Sequence, residues 1–187
     1  MEFLKENHRI RFERLEAAPP IEEYVQTCVD VPRFLEYCKE CGNYGNRWSC
    51  PPFREDPMEI WVRFQALRLI AYVLPSEPGQ SVSQALDDLK LAKAQMMEET
   101  LELERTNPGS LALSAGTCTL CGENCTRPEG TPCRYPEQMR YSIEALGGDV
   151  AKTAERYLHK PLLWIKDNVL PEYLVLVGGL LLKLRKE

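Results

Sequence analysis

The chain has 187 residues, 44% of them hydrophobic and 27% charged, with a formal net charge of −5 and a pI near 5.3. That length can bury a core without cross-links, and the acidic balance excludes a surface built to neutralise nucleic-acid phosphates or anionic lipid, so no nucleic-acid partner is expected. The charged opening MEFLKENHRIRFERLE lacks the apolar stretch of a secretory signal.

Residues 1–27 carry little pattern until Pro19-Pro20, which reads as a loop entering a short helix over IEEYVQ. Asp30-Val31-Pro32 has the form of a capped helix start, and that helix would carry Cys38 and Cys41 at its end. Gly42, Asn43, Gly45 and Asn46 then favour tight turns, and Cys50-Pro51-Pro52 cannot continue a helix. Asp56-Pro57 opens a second helix through MEIWVRF, and ALRLIAYVLP is a buried strand. From Ser83 to about Thr106 runs the longest helix, with Leu86, Leu89, Ala92, Met96 or Met97 and Leu101 on one side and a solvated charged face on the other.

SLALSAG is a short strand that delivers the chain to a second group of cysteines. Pro136 opens a helical segment that runs to Leu146 and stops at Gly147-Gly148. Asp149 caps a further helix to about His159, and EYLVLVGGLLL is the last strand. The apolar run from Tyr173 to Leu184 is broken by Gly178, Gly179 and Lys183 and reaches about half the length of a membrane span, so no span is expected. The expected fold is α/β or α+β, a small sheet packed with helices. It forms a single domain over 1–187 with cysteine loops at 38–52 and 118–136.

Without an export signal the chain is expected in the cytoplasm, where thiols stay reduced, so its eight cysteines are not read as a disulfide framework. Four of them, Cys118, Cys121, Cys125 and Cys133, fall within sixteen residues, ending near Pro136 among glycines and prolines. Such a loop can wrap its amides and thiolates around an iron-sulfur cluster. Four thiolates also make a closed structural zinc site, so zinc remains the competing metal. The first group, Cys38, Cys41 and Cys50, has three thiols; Cys28, ten residues upstream, either completes it or packs as an inert small hydrophobe.

Tyr44 and Trp48 lie inside the first loop, where rings shield a cluster from water or simply pack. Lys39, Arg47, Arg54, Arg127 and Arg134 flank the cysteines, either offsetting thiolate charge or serving as surface cations. With only His8 and His159, mixed cysteine-histidine fingers are unsupported. No G-x-S-x-G elbow, H-E-x-x-H pair or phosphate-binding glycine loop appears, and neither C-x-x-C precedes a histidine.

The stretches CxxCGNYGNRWSCPP and CTLCGENCxxxxxxPCRYPEQMRYSIEALGGDV resemble the prokaryotic family of predicted metal-binding proteins catalogued as domain of unknown function 2284. The resemblance rests on Cys38, Cys41, Tyr44, Gly45, Trp48 and Cys50 to Pro52, then on Cys118, Cys121, Cys125, Cys133, Arg134, Pro136 and Ser142 to Ala145. It covers most of the chain and implies metal binding in a prokaryotic protein.

Three functional readings follow. The first is an iron-sulfur protein with one or two clusters, of the four-iron kind, that moves electrons to a redox protein partner. The second is a zinc-stabilised module that engages a protein through its acidic surface. The third is an enzyme whose three-cysteine cluster leaves one iron open to a small molecule. Whether the chain is an enzyme, and its oligomeric state, are not legible in the sequence.

Overall fold

The computed structural model describes residues 2–5 and 8–183, with side chains described from Ile10 onward. The side chain of His8 and the end of the apolar run at Leu184 therefore lie outside the described residues. In chain order the elements are β1 (Glu2–Lys5), β2 (His8–Arg11), β3 (Glu13–Ala17), α1 (Ile21–Cys28), α2 (Val31–Lys39), α3 (Pro57–Trp61), β4 (Ala66–Pro75), α4 (Val82–Thr106), β5 (Leu111–Leu113), α5 (Val150–Leu158) and β6 (Tyr173–Leu182). β1 and β2 form a two-stranded antiparallel ribbon, and the main sheet has the order β3-β4-β6-β5 with every neighbouring pair antiparallel. The fold is α+β.

β4 and β6 are the two central strands, paired from Ala66 opposite Leu182 to Pro75 opposite Tyr173. Apart from Arg68 on β4 their sequences are nearly all apolar, because both faces of the sheet are covered. Leu67, Leu69 and Ala71 point into a core shared with α1, α3 and α5, while Ile70, Tyr72 and Leu74 pack with Phe12 and with Ala92 and Met96 of α4. Alternation along one strand thus feeds two cores. Gly178 and Gly179 allow close backbone approach, since a Cβ would meet the Leu113 carbonyl oxygen at 2.6 Å at the first and the Arg68 carbonyl oxygen at 2.4 Å at the second.

The helix starts follow their caps. The Asp30 side chain accepts from Arg33 N at 3.1 Å, Asp56 from Met58 N at 2.9 Å and Asp149 from Lys152 N at 2.9 Å. Ser81 and Gln84 close a capping box that opens α4.

Several expectations need correction. Residues before Pro19 contribute three strands, whose alternating charges suit an edge strand and a ribbon and mask the signal. Helix α3 ends at Trp61, earlier than the MEIWVRF run suggests. The buried stripe of α4 is Ala85, Ala92, Met96 and Thr100, flanked by Leu89 and Leu103, while Leu86 is exposed. Leu89, Ala92 and Met96 therefore lie on the expected side, and only the ends differ, with Ala85 buried in place of Leu86 and Thr100, which donates back to the Met96 carbonyl, in place of Leu101.

The expected helix from Pro136 to Leu146 does not form. Met139 N reaches the Tyr135 carbonyl at 2.9 Å for a single turn. Ser114 N then bonds the Tyr141 carbonyl at 2.8 Å, and Ser142 pairs with Ser114 as a parallel bridge, which holds the backbone extended there. A tight turn from Ser142 to Gly148 follows, fixed by Gly148 N on the Ile143 carbonyl at 2.8 Å and by Trp61 Nε1 on the Leu146 carbonyl at 2.9 Å.

Candidate metal centre

Helix α2 brings Cys38 into its last turn, and the chain then folds through consecutive tight turns. Cys41 N bonds the Cys38 carbonyl at 3.0 Å, Tyr44 N the Cys41 carbonyl at 2.9 Å and Cys50 N the Arg47 carbonyl at 3.1 Å. Gly45, at φ 68°, supplies the left-handed conformation that lets its N-H reach the Pro51 carbonyl at 2.8 Å. The Pro51-Pro52 bond is cis. The Asn43 amide nitrogen lies 3.8 Å from Cys41 Sγ, a weak N-H to sulfur contact.

The second loop leaves the end of β5 and turns at Gly116, Gly122 and Gly130, all with positive φ. Its four thiols come together: Cys118, Cys121, Cys125 and Cys133 line one small pocket with Arg47, Trp48, Leu120, Tyr135 and Met139. The space left between these side chains is about 10 Å³, on the scale of one water. Burial raises the Cys118 thiol above its usual range, the Leu120 amide works against this, and the other three thiols add to the rise. Cys38 is raised likewise, first by burial and then by Cys50 and Cys41, so the first three thiols are electrostatic neighbours as well.

The two loops are joined directly. Ser49 Oγ accepts from Cys118 N at 3.0 Å, Cys50 Sγ lies 3.2 Å from Thr117 Oγ1, and Trp48 Nε1 donates to Thr126 Oγ1 at 3.2 Å. Arg127 donates to the carbonyls of Arg47, Cys50 and Pro52, with its guanidinium 5.5 Å from the centre of the Trp48 ring. Arg47 returns a bond to the Gly122 carbonyl. The two arginines are therefore staples between loops, not merely solvated charges, whereas Lys39, Arg54 and Arg134 are exposed. Trp48 shields the neighbouring thiol group more than its own.

Cys28 is located elsewhere. It is 2% exposed in the apolar core with Tyr24, Ile60 and Trp61, its sulfur 3.6 Å from Thr27 Oγ1. His159 sits exposed at the end of α5 in the left-handed conformation.

Two residues near the thiols had no motif to announce them. Lys93 of α4 donates Nζ to the Thr117 carbonyl; burial lowers its ammonium, while Cys118, Glu144 and Cys50 pull it back up. Glu144 lies in the turn after the Ser142 bridge. Burial raises its carboxyl, and its Oε2, shielded from solvent, has no hydrogen-bond partner among the described residues. Lys93 hides in a helix of mixed charges, but Glu144 belongs to the Ser142-Ile143-Glu144-Ala145 segment that carries the family resemblance.

All eight cysteines are free thiols. Among the described residues no three His, Cys, Asp or Glu side chains are arranged to hold a metal ion as they stand, and no helix is long and apolar enough to cross a membrane. The donor chemistry suits a soft metal or a cluster nonetheless, with four thiols facing one another and three more beside them.

Compared with known sequence families, the chain matches the one described as predicted metal-binding protein (DUF2284) over residues 25–182. The chain belongs to this family. No curated protein and no solved structure matches it. The matched region begins within α1 and ends with β6, so it takes in both cysteine loops and the whole of β4, β5 and β6.

Proposed function

We propose that this DUF2284 protein is a cytoplasmic iron-sulfur protein that passes electrons between two neighbouring clusters and a redox protein partner. Cys118, Cys121, Cys125 and Cys133 hold one cluster, and Cys38, Cys41 and Cys50 anchor the other. The observation that carries this reading is the joint between the loops, where Cys50 Sγ and Thr117 Oγ1 are 3.2 Å apart and Thr117 is bonded in sequence to Cys118. Thiol groups so close would let clusters exchange an electron over a short distance. When bound, the clusters supply one-electron redox chemistry.

The protein's own residues have separate tasks. Trp48, Leu120, Tyr135 and Met139 surround the second thiol group with apolar surface that limits water. Lys93 and Arg127 place positive charge among groups that become anionic when the thiols deprotonate. The acidic net charge of −5 leaves a redox protein with a basic face as the partner.

Structural zinc is the second reading, favoured by the small space between the four thiols, which is nearer the size of one ion than of a cluster. Iron, acid-labile sulfide and zinc per chain, measured with the visible spectrum on protein isolated without oxygen, separate the two. About eight irons with matching sulfide are expected for two four-iron clusters. One or two zincs without sulfide would make the cysteines structural staples and remove electron transfer from the function.

A further inference from the structure

The first cysteine group has three thiols on its loop, and a metal centre there needs a fourth donor or an open position. We propose that the carboxylate of Glu144 is that fourth donor, completing the centre formed by Cys38, Cys41 and Cys50. The inference rests on the metal-binding reading above and adds to it an oxygen ligand from a distant part of the chain.

Two observations converge on Glu144. It borders a cleft of about 290 Å³ whose wall also includes Cys38, Pro51, Pro52 and Phe53, so the residue stands beside the first cysteine loop. Its Oε2 is shielded from solvent with no hydrogen-bond partner among the described residues, and a buried acceptor without a donor is rare in folded proteins unless a ligand or water supplies one.

The backbone holds the carboxyl in place. The Ser114 bridge fixes Ser142, and Gly148 cannot carry a Cβ because it would stand 2.4 Å from Ile143 Cγ2, so the turn that bears Glu144 is packed tightly on both sides. Cys28, the thiol suggested by spacing alone, faces the apolar core beside Tyr24 and Trp61 instead. A carboxylate is a harder donor than a thiolate, and one on an otherwise thiolate-bound iron marks that iron as the position where a ligand exchanges. The carboxylate form is the one that binds, and any proton it carries is released to solvent.

The test uses the full chain purified without oxygen, with iron, sulfide and zinc counted per chain and electron paramagnetic resonance and visible spectra recorded. Cys38→Ser sets the scale, since the metal it removes is that of the first group. Glu144→Ala and Glu144→Gln are expected to lose the whole of that metal, with content falling toward about half of the wild type, or a single iron of it, with content falling by about one eighth. Glu144→Cys is expected to keep full content with an altered spectrum, and Cys28→Ala to match the wild type. Should Glu144→Ala fail to fold, the near-isosteric Gln variant and the Cys variant decide between them. Wild-type content and spectrum in Glu144→Gln would overturn the ligand assignment while leaving the metal reading intact, as would loss of first-group metal in Cys28→Ala. A wild-type chain whose metal is unchanged by Cys38→Ser would overturn the reading beneath it as well.

Discussion

Arg127 on the second cysteine loop donates through its guanidinium to the backbone carbonyl of Arg47 on the first, at 2.5 Å. The same side chain also reaches the carbonyls of Cys50 and Pro52, so three backbone acceptors of one loop depend on one residue of the other. A planar guanidinium can serve several acceptors at once, whereas an ammonium is a compact point charge. Arg127→Ala is expected to lower stability by about 1–3 kcal/mol, since bonds from a charged donor are lost and carbonyls are left short of partners. Arg127→Lys should recover less than half of this. Denaturant unfolding of the three proteins measures both, and full recovery by lysine would show that charge rather than shape matters.

Gly179 lies where β6 passes the backbone of β4, and a methyl group there would stand 2.4 Å from the Arg68 carbonyl oxygen. Gly179→Ala is expected to destabilise by about 1–3 kcal/mol, the usual cost of forcing volume into a packed interior. Gly42→Ala is the control, because a Cβ at Gly42 meets nothing within 4 Å. Thermal midpoints of the pair should differ by several degrees, and equal midpoints would mean that the strands can separate without loss.

Tyr24 is fully buried, its hydroxyl 2.9 Å from Thr153 Oγ1 and its ring tilted against Trp61 at 5.5 Å. Burial raises its phenol beyond its usual range, so the group stays neutral. Tyr24→Phe keeps the ring contacts and removes one hydrogen bond, at an expected cost of about 1 kcal/mol. Metal content should not change, because the hydroxyl removed is bonded to Thr153 and to no cysteine. A drop in metal content would show that α1 and α5 are coupled to the site.

Glu16 receives Arg68 Nε at 2.5 Å and Arg14 Nη1 at 2.9 Å, and these bonds, Arg68's first, hold its carboxyl below the usual glutamate range against an opposing effect of burial. A carboxylate held low in the folded state adds stability above the unfolded value, near 4.5, and loses it as pH falls through the folded value. The pair is partly exposed, so its worth is about 0.5 kcal/mol. Wild type should therefore exceed Glu16→Gln in thermal midpoint at pH 7, with the gap closing below about pH 4. A gap that persists at low pH would assign the effect to shape instead.

Lys93 connects the helical layer to the second cysteine loop through the Thr117 carbonyl. Its replacement by methionine keeps the length of the stem and removes a positive charge near Cys118 and Cys50. With clusters bound, their reduction potentials should become more negative, because the reduced form carries the extra negative charge. Redox titration followed by visible absorbance measures this, and unchanged potentials would mean that solvent screens Lys93.

Much of the fold is legible from local chemistry. Asp30, Asp56 and Asp149 each cap the helix they precede, and the largely apolar runs of β4 and β6 announce central strands covered on both sides. The segment from Pro136 to Leu146 is not legible in this way. Its composition suits a helix, but Tyr141 and Ser142 are held extended by Ser114, a partner no local pattern reveals. Both cysteine groups are visible as spacings, whereas Glu144, although it lies in the Ser142–Ala145 segment of the family resemblance, is not set apart from other acidic residues until the tertiary turn buries it. Arg127 likewise acquires its role only when the loops meet.

The contact between Cys50 and Thr117 spans 67 positions of sequence, and β4, α4 and β5 all lie within that interval. Closing so long a loop before the sheet exists would confine the chain with little to hold it. The order of assembly is thereby constrained: the strands must be laid down before the two thiol groups can become neighbours. The meeting of the two thiol groups therefore belongs after synthesis of β6, the strand that pairs with both β4 and β5, and a ribosome-bound chain that has emerged only as far as α4 holds the first three thiols without their neighbours.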